Sequence, residues 1–333
     1  MKFIIPVAHC FDNNYVIPAA VSFLSMLENA SKYHSYELYV FHADITDENQ
    51  QKLQDVVAKF DNASLIFVNI ASQLPLLEIP KIEGSHYTNE MYFKLLLPSL
   101  LPQYDKVLIT DVDVVFCGDI SRDFTAFDTS SSDYVAGVSY KDIPSKSLQH
   151  FWNKATQYQK DNFCSQQEKF LIGAGYLIFN LAKMRADSIE KKFMQCLFDN
   201  TGKLKQPEQD VINLCCFPHI KLLPLSSMVC TYLYDVMDKN EIEDLKESIE
   251  PSIQLHYATH IKPWNTPTCT FAHEWFAYLA KTSFFYDYMT TIEPLIKDRK
   301  VSFKFAGIPV VVYKKKGHRE YIKLFSTFTI NKK

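Results

Sequence analysis

An α/β fold built on a mostly parallel central sheet, with helices on both faces, is what this sequence predicts, and three observations carry the prediction. Strand-like and helix-like segments alternate through the first two thirds of the chain, at the spacing that crossover units require. Residues 105–116 (DKVLITDVDVVF) form the best buried-strand candidate, an apolar run of the kind a parallel sheet covered on both faces contains. The 333 residues, at 47% hydrophobic and 22% charged, are enough to bury a sizeable core, and this composition excludes disordered, collagen-like and disulfide-scaffold classes.

The elements follow in order. Residues 3–8 (FIIPVA) are a short apolar strand, closed by turn chemistry at Asp12-Asn13-Asn14. A helix pattern runs on to about Asn29, with Pro18 near its first turn, where a missing N–H costs little. Residues 36–43 read as a strand. A polar helix opens near Asp47, with Leu53, Val56, Val57 and Phe60 on one face. Residues 64–70 read as a strand, and Tyr87 to Leu101 as a helix ended by Pro102. Beyond the 105–116 strand, Tyr134–Tyr140 and Tyr176–Leu181 are strands, and Asp187-Ser188-Ile189-Glu190 resembles a capping box that opens a helix. Residues 208–217 predict a short helix and Ile253–Tyr257 a strand. No Pro/Gly/Ser linker divides residues 1–285, which are expected to form one domain, with 286–333 as a small basic C-terminal tail.

Charge is distributed unevenly. The formal net charge is −3, but residues 297–333 hold eleven Lys and Arg against two acids, so the tail carries +9 and residues 1–296 carry −12. Residues 303–311 (FKFAGIPVV) align with 322–330 (IKLFSTFTI) at an offset of 19, each followed by lysines. Such alternation suggests short strands or a segment docked on an anionic membrane surface, with a solvated tail as the plain alternative. The acidic body argues against nucleic acid as a partner. Eight cysteines without a C-x-x-C pair exclude zinc-ribbon and thioredoxin readings and suit buried thiols in a reducing compartment. With no cationic leader and no apolar run long enough to span a bilayer, the expected location is cytoplasmic, peripheral on the inner membrane face if the tail docks there.

Five segments could carry chemistry. Asp111-Val112-Asp113 ends an apolar strand, where residues i and i+2 share a face and ligands of open parallel sheets bind. Paired carboxylates there suit a hard divalent cation and phosphate oxygens; the plain alternative is a solvated turn. In 256–264 (HYATHIKPW), His256 offers an imidazole ligand and Lys262 a cation for phosphate, although a lone histidine is as often an ordinary polar group. Asp12-Asn13-Asn14-Tyr15 could hydrogen-bond and stack on a nucleoside, or simply cap a helix. Gly173-Ala174-Gly175 holds two of only eight glycines and suits close approach of backbone to a ligand, or a tight turn. Glu208-Gln209-Asp210 opens a helix, by itself ordinary first-turn acidity.

Taken together and in this order, DNNY at 12–15, YFKLLLPSLLPQYDKVLITDVDVVFCGDI at 92–120, GAGYLIFNLAKMR at 173–185, EQDVIN at 208–213 and HYATHIKPW at 256–264 resemble glycosyltransferase family 8. These are retaining GT-A enzymes that include bacterial lipopolysaccharide galactosyl- and glucosyltransferases. The resemblance implies a GT-A fold and a retaining hexosyltransferase. It would move glucose or galactose from a UDP-sugar to a hydroxyl of an oligosaccharide or glycolipid acceptor such as lipopolysaccharide. It implies Mn²⁺, with Mg²⁺ as the alternative, held by Asp111, Asp113 and His256, and Lys262 neutralising the departing UDP. Asp12, Asn14 and Tyr15 match the uridine-binding loop. Lys94, Asp111, Val112, Gly173, Ala174, Gly175 and Trp264 fall among the substrate-binding positions. Gln209 matches the residue beneath the anomeric carbon, and Glu208 stands where the family usually has Asp as a sugar-hydroxyl acceptor.

Three positions depart from the family pattern. Lys94 replaces Arg, which cannot be equivalent where bidentate contact matters. Gly173 replaces Asn or Asp, and Thr259 replaces Gly. The expected mechanism is attack by the acceptor on the face that UDP leaves, with Gln209 steadying the oxocarbenium-like carbon, because an amide is a poor nucleophile. Two rivals stand beside this reading. Asp111-Val112-Asp113-Val114-Val115 also resembles the haloacid-dehalogenase phosphatase signature, with Asp111 as nucleophile and Mg²⁺ as cofactor. A non-catalytic relative that only binds nucleotide or glycan is the other.

Overall fold

The computed structural model describes residues 2–72, 89–140, 143–150, 171–200, 203–292, 301–305, 308–316, 319–324 and 328–332. Its central sheet grows outward from β1 (Ile4–Cys10), whose interior positions are buried on both faces. β2 (Ser35–His42) and β3 (Ala63–Asn69) add to one side in parallel, and β4 (Lys106–Thr110) pairs in parallel on the other. Between them lie α1 (Val16–Asn29) and α2 (Asp47–Val57). Thr46 caps α2 by accepting from the Asn49 N–H, Asp47 and Glu48 complement its dipole, and Leu53, Val56 and Val57 form its buried stripe.

The sheet is completed by β6 (Val135–Ser139), β7 (Ile172–Asn180) and β8 (Ile220–Leu222), giving seven strands in the order β3-β2-β1-β4-β7-β6-β8. Four of its six pairings are parallel, and β7 runs antiparallel to both β4 and β6. A second sheet has the order β5-β10-β9, from β5 (Val114–Phe116), β9 (Val229–Cys230) and β10 (Gln254–His256).

The expected strand over 105–116 is therefore two strands in two sheets, with Asp111-Val112-Asp113 as the step between them. The Asp111 N–H donates to the Gly175 carbonyl on β7, and the Tyr257 N–H donates to the Asp113 carbonyl beside β10. An unbroken apolar pattern hides this step, because each half is buried in its own sheet.

Three more expectations change. Residues 89–96 wind as a 3-10 helix and only Leu97–Leu100 is α-helical (α3). Pro98 lacks the N–H that would bond the Lys94 carbonyl and sits instead in the first turn of α3, where that donor has no intrahelical partner. Gly173-Ala174-Gly175 lies within β7 rather than before it. The helix after Asp187 exists (α6, Ile189–Asp199, after α4 at Ser121–Ala126 and α5 at Leu181–Ala186), but without a capping box. Asp187 accepts from the Tyr134 hydroxyl and Lys183, while Glu190 accepts from the Ser99 N–H and hydroxyl. A capping box forms instead at Asp238 and Glu241, opening a helix over Lys239–Ile249.

The chain divides into two compact units, Met1–Tyr278 and Leu279–Lys333, against a boundary expected at 285/286. The second unit has a helix over Phe284–Ile292 and a four-stranded antiparallel meander: β11 (Val301–Phe305), β12 (Ile308–Lys316), β13 (Arg319–Leu324) and β14 (Phe328–Lys332). The repeat at an offset of 19 falls on the antiparallel pairs β11–β12 and β13–β14, though their registers differ: Phe305 pairs with Ile308, and Leu324 with Phe328. Among the described residues no helix is long and apolar enough to cross a membrane.

Candidate active site

Where β4 gives way to β5, two neighbouring carboxylates meet a histidine from a distant part of the chain. Asp111, Asp113 and His256 offer ligand atoms within 4.8 Å of one another. His256 Nε2 lies 3.2 Å from Asp113 Oδ1 and 3.6 Å from Asp111 Oδ2. The two carboxylates face one point because the backbone at Asp111 is tied to β7 and at Asp113 to β10. His256 ends β10, whose register places it beside Cys230.

Gly175 makes room for the imidazole: a Cβ there would lie 2.3 Å from His256 Cε1 and 2.5 Å from Nδ1. The glycine is thus required by close approach of a side chain, not by a turn. A half-buried carboxylate at Asp111, a more deeply buried one at Asp113 and the buried His256 imidazole are the donor set of a divalent cation that tolerates nitrogen, so these residues fit such an ion.

Cations of the protein balance this cluster. Lys94 donates to Asp111 Oδ1 at 2.6 Å and to the Ala174 carbonyl at 3.2 Å, and its Nζ lies 3.9 Å from Glu208. Burial favours neutral Lys94, but the charges of Asp111 and Glu208 outweigh it and hold the ammonium protonated. Lys262 donates to Asp113 and to the Tyr257 carbonyl. Burial works against ionised Asp113, yet Lys262 and His256 pull its carboxyl well below the usual range. Burial lowers His256 as well, but the Asp113 charge and hydrogen bond win and raise it to about 10.

The other predicted residues surround this cluster. Asp12 is occupied in part by capping: it accepts from the Asn14 N–H at 3.1 Å and from the Asn14 side-chain amide at 2.9 Å. Tyr15 meets Trp264 edge to face at 6.0 Å, and its hydroxyl is pushed up to about 12 by burial and by Asp113, Asp12 and Asp111. Val112 is buried in the step. α7 (Pro207–Cys216) brings Glu208 and Gln209 up from the β7 side. Gln209 Oε1 accepts from the Ala174 N–H at 3.0 Å, so the amide is anchored to β7 rather than held free as a nucleophile. Glu208 is buried with Oε2 unpaired, and burial raises its carboxyl despite the nearby Lys94. At Gly173 a Cβ would meet Met228 Cε at 2.9 Å.

The motifs did not point to three neighbours. Tyr92, in the same 3-10 turn as Lys94, has a buried hydroxyl with no partner among the described residues, raised to about 12 by burial and Glu208. Cys230 is buried and stands opposite His256 in the register of the adjacent strand. Met228 packs beneath Gly173 and Gly175. Tyr92 opens the YFKLLLP segment, so its place was available to motif reading, whereas Cys230 and Met228 reach the site only through the β9–β10 pairing.

Comparison with known proteins agrees with this geometry. Residues 6–268 match the family described as Glycosyl transferase family 8. A lipopolysaccharide 1,2-glucosyltransferase of Escherichia coli is 24% identical over 94% of this chain and 83% of its own length. Among solved structures, the galactosyltransferase LgtC in complex with donor and acceptor sugar analogues superimposes with a TM-score of 0.67 at 18% identity, covering 84% of this chain and 96% of LgtC. The bifunctional glycosyltransferase WbbM gives 0.69 at 21% identity over 86% of this chain, which spans only 51% of WbbM. The fold is thus the GT-A fold of these glycosyltransferases. With the match running through β1, the Asp-Val-Asp step, β7, α7 and His256 alike, the chain belongs to glycosyl transferase family 8 and is a glycosyltransferase, not a phosphatase of the haloacid-dehalogenase type.

Proposed function

We propose that the protein transfers a hexose, glucose or galactose, from a UDP-sugar to a hydroxyl of a surface oligosaccharide such as lipopolysaccharide, with retention of anomeric configuration. The observation that carries this reading is the convergence of Asp111, Asp113 and His256 within 4.8 Å, with Lys262 on one side and Glu208 and Gln209 on the other. The acceptor class is suggested by the Escherichia coli relative, a lipopolysaccharide glucosyltransferase.

Asp111, Asp113 and His256 would hold Mn²⁺ or Mg²⁺, which when bound supplies Lewis-acid neutralisation of a diphosphate. The chain's own groups do the rest. Lys262 is placed to exchange Asp113 for phosphate and to balance the charge that grows as UDP leaves. Tyr15 and Trp264 present aromatic surface for the base, with Asp12 and Asn14 beside them. Glu208, beside Lys94 and with one oxygen unpaired, is suited to accept a hydrogen bond from a sugar hydroxyl. Gln209, anchored on Ala174, would steady the anomeric carbon while the acceptor enters on the face UDP leaves.

Release of UDP from UDP-glucose and UDP-galactose, with and without Mn²⁺ and with a lipopolysaccharide core oligosaccharide as acceptor, tests the reading. Transfer should require the metal, and Gln209→Ala should lower turnover roughly 10- to 100-fold while leaving UDP affinity within about twofold. Complete loss of turnover with intact UDP binding would instead favour a covalent role for Gln209. A protein that binds UDP but transfers to no acceptor, and hydrolyses neither sugar nucleotide, would favour the non-catalytic reading.

A further inference from the structure

Outside the donor site, α6 and α7 pack against one another and hold a second arrangement of reactive groups. Cys196 on α6 and Cys215 on α7 are half-buried free thiols on two helices that pack together. The Cys196 sulfur also accepts from the Asn200 side-chain amide at 3.7 Å, and the Cys215 thiol donates to the Lys192 carbonyl at 3.6 Å. Cys216 and Cys230, by contrast, are buried.

We propose that Cys196 and Cys215 form a redox-responsive pair, which a low-molecular-weight disulfide such as oxidised glutathione converts to an intramolecular disulfide linking α6 to α7. Cys196 is the attacking thiol. The Asn200 side-chain amide donates to its sulfur and so favours the thiolate, whereas the Cys215 proton is held on the Lys192 carbonyl. The Cys196 thiolate attacks one sulfur of the small disulfide, forming a mixed disulfide and releasing one glutathione thiolate. Cys215, after loss of its proton, attacks the Cys196 sulfur and releases the second. Two protein thiols are oxidised to one disulfide, one small disulfide is reduced to two thiols, and the two protons leave with them.

The linkage falls on a helix that is continuous with the donor site. Asn213, two residues before Cys215, donates to the Ile172 carbonyl at 2.9 Å and the Gln209 carbonyl at 2.8 Å, and accepts from the Ile172 N–H at 2.9 Å. A bond at Cys215 therefore fixes α6 to the helix whose first turn carries Glu208 and Gln209.

The test uses the full-length wild-type protein, oxidised with glutathione disulfide at pH 8, alkylated, digested without reduction and mapped by mass spectrometry. The expected product is a cross-linked peptide pair two hydrogens lighter than the reduced peptides, with fragment ions placing the bond at Cys196 and Cys215 rather than Cys216, and reversed by dithiothreitol. The oxidised protein should also melt roughly 3 °C higher or more, a shift absent in Cys196→Ser. Glutathione adducts at either thiol without a cross-link, a cross-link confined to other cysteines, or no reaction would each overturn the proposal. The peptide map on wild type decides the matter even if a serine variant folds poorly.

Discussion

Asp113 is the most heavily committed residue of the site: it meets Lys262 with one oxygen and His256 with the other. A carboxylate neutralised twice over by the protein's own cations is one that a divalent ion and a diphosphate can take over by exchange, since both partners then have other work. His256 keeps its position because residue 175 has no side chain. Gly175→Ala puts a methyl group 2.3 Å from the imidazole, so the ring must turn away. We expect this variant to lose roughly 10- to 100-fold in Mn²⁺ affinity, read by titration calorimetry, and roughly 1–3 kcal/mol of stability. Wild-type metal affinity in Gly175→Ala would show that His256 is not a ligand. Much at this scale was legible in the sequence: Asp111, Asp113, His256 and Lys262 each stood in a recognisable string. Less legible was the use already made of some of them. Asp12 spends both oxygens on Asn14, and Gln209 spends its carbonyl on Ala174, because backbone donors left over at a helix start and inside β7 must find acceptors.

At the scale of elements, the order of strands and helices could be read from the apolar periodicity, and most boundaries of the first 70 residues fall within one or two positions of those expected. The failures share a cause. Periodicity reports burial, not the partner that buries, so the run 105–116 could not reveal that β4 and β5 belong to different sheets. The missing capping box at Asp187 likewise follows from partners distant in sequence. β7 shows how one helix side chain can substitute for a strand neighbour. Asn213 pairs both the N–H and the carbonyl of Ile172. Asn213→Ala leaves those buried groups unpaired, and urea denaturation should register a loss of roughly 2–4 kcal/mol. A variant as stable as wild type would mean that water satisfies β7 there.

The formal charge is −12 over residues 1–296 and +9 over 297–333, and the described residues of the latter form a four-stranded antiparallel meander. Global stability should carry a signature of His9, buried on β1 at 4.7 Å from the Phe23 ring centroid. Burial lowers this imidazole to about 3, against a small opposing pull from the Thr110 backbone. The unfolded chain takes up the proton below about pH 6.5 and the folded chain does not, so stability present above 6.5 is lost as pH falls toward 3. By pH 5 the loss amounts to about 2 kcal/mol. Urea midpoints at pH 7 and 5 should therefore fall less for His9→Leu than for wild type; equal falls would place the acid lability elsewhere.

The central claim, a metal-dependent UDP site at the β4–β5 step, is tested most directly by the melting temperature of the full chain with UDP, with and without Mn²⁺, in wild type and Asp113→Asn. At 100 times its dissociation constant UDP should add about 2.7 kcal/mol of stability, only when Mn²⁺ is present and only in the wild type. A UDP shift of equal size without Mn²⁺, or one that survives Asp113→Asn, would contradict the account.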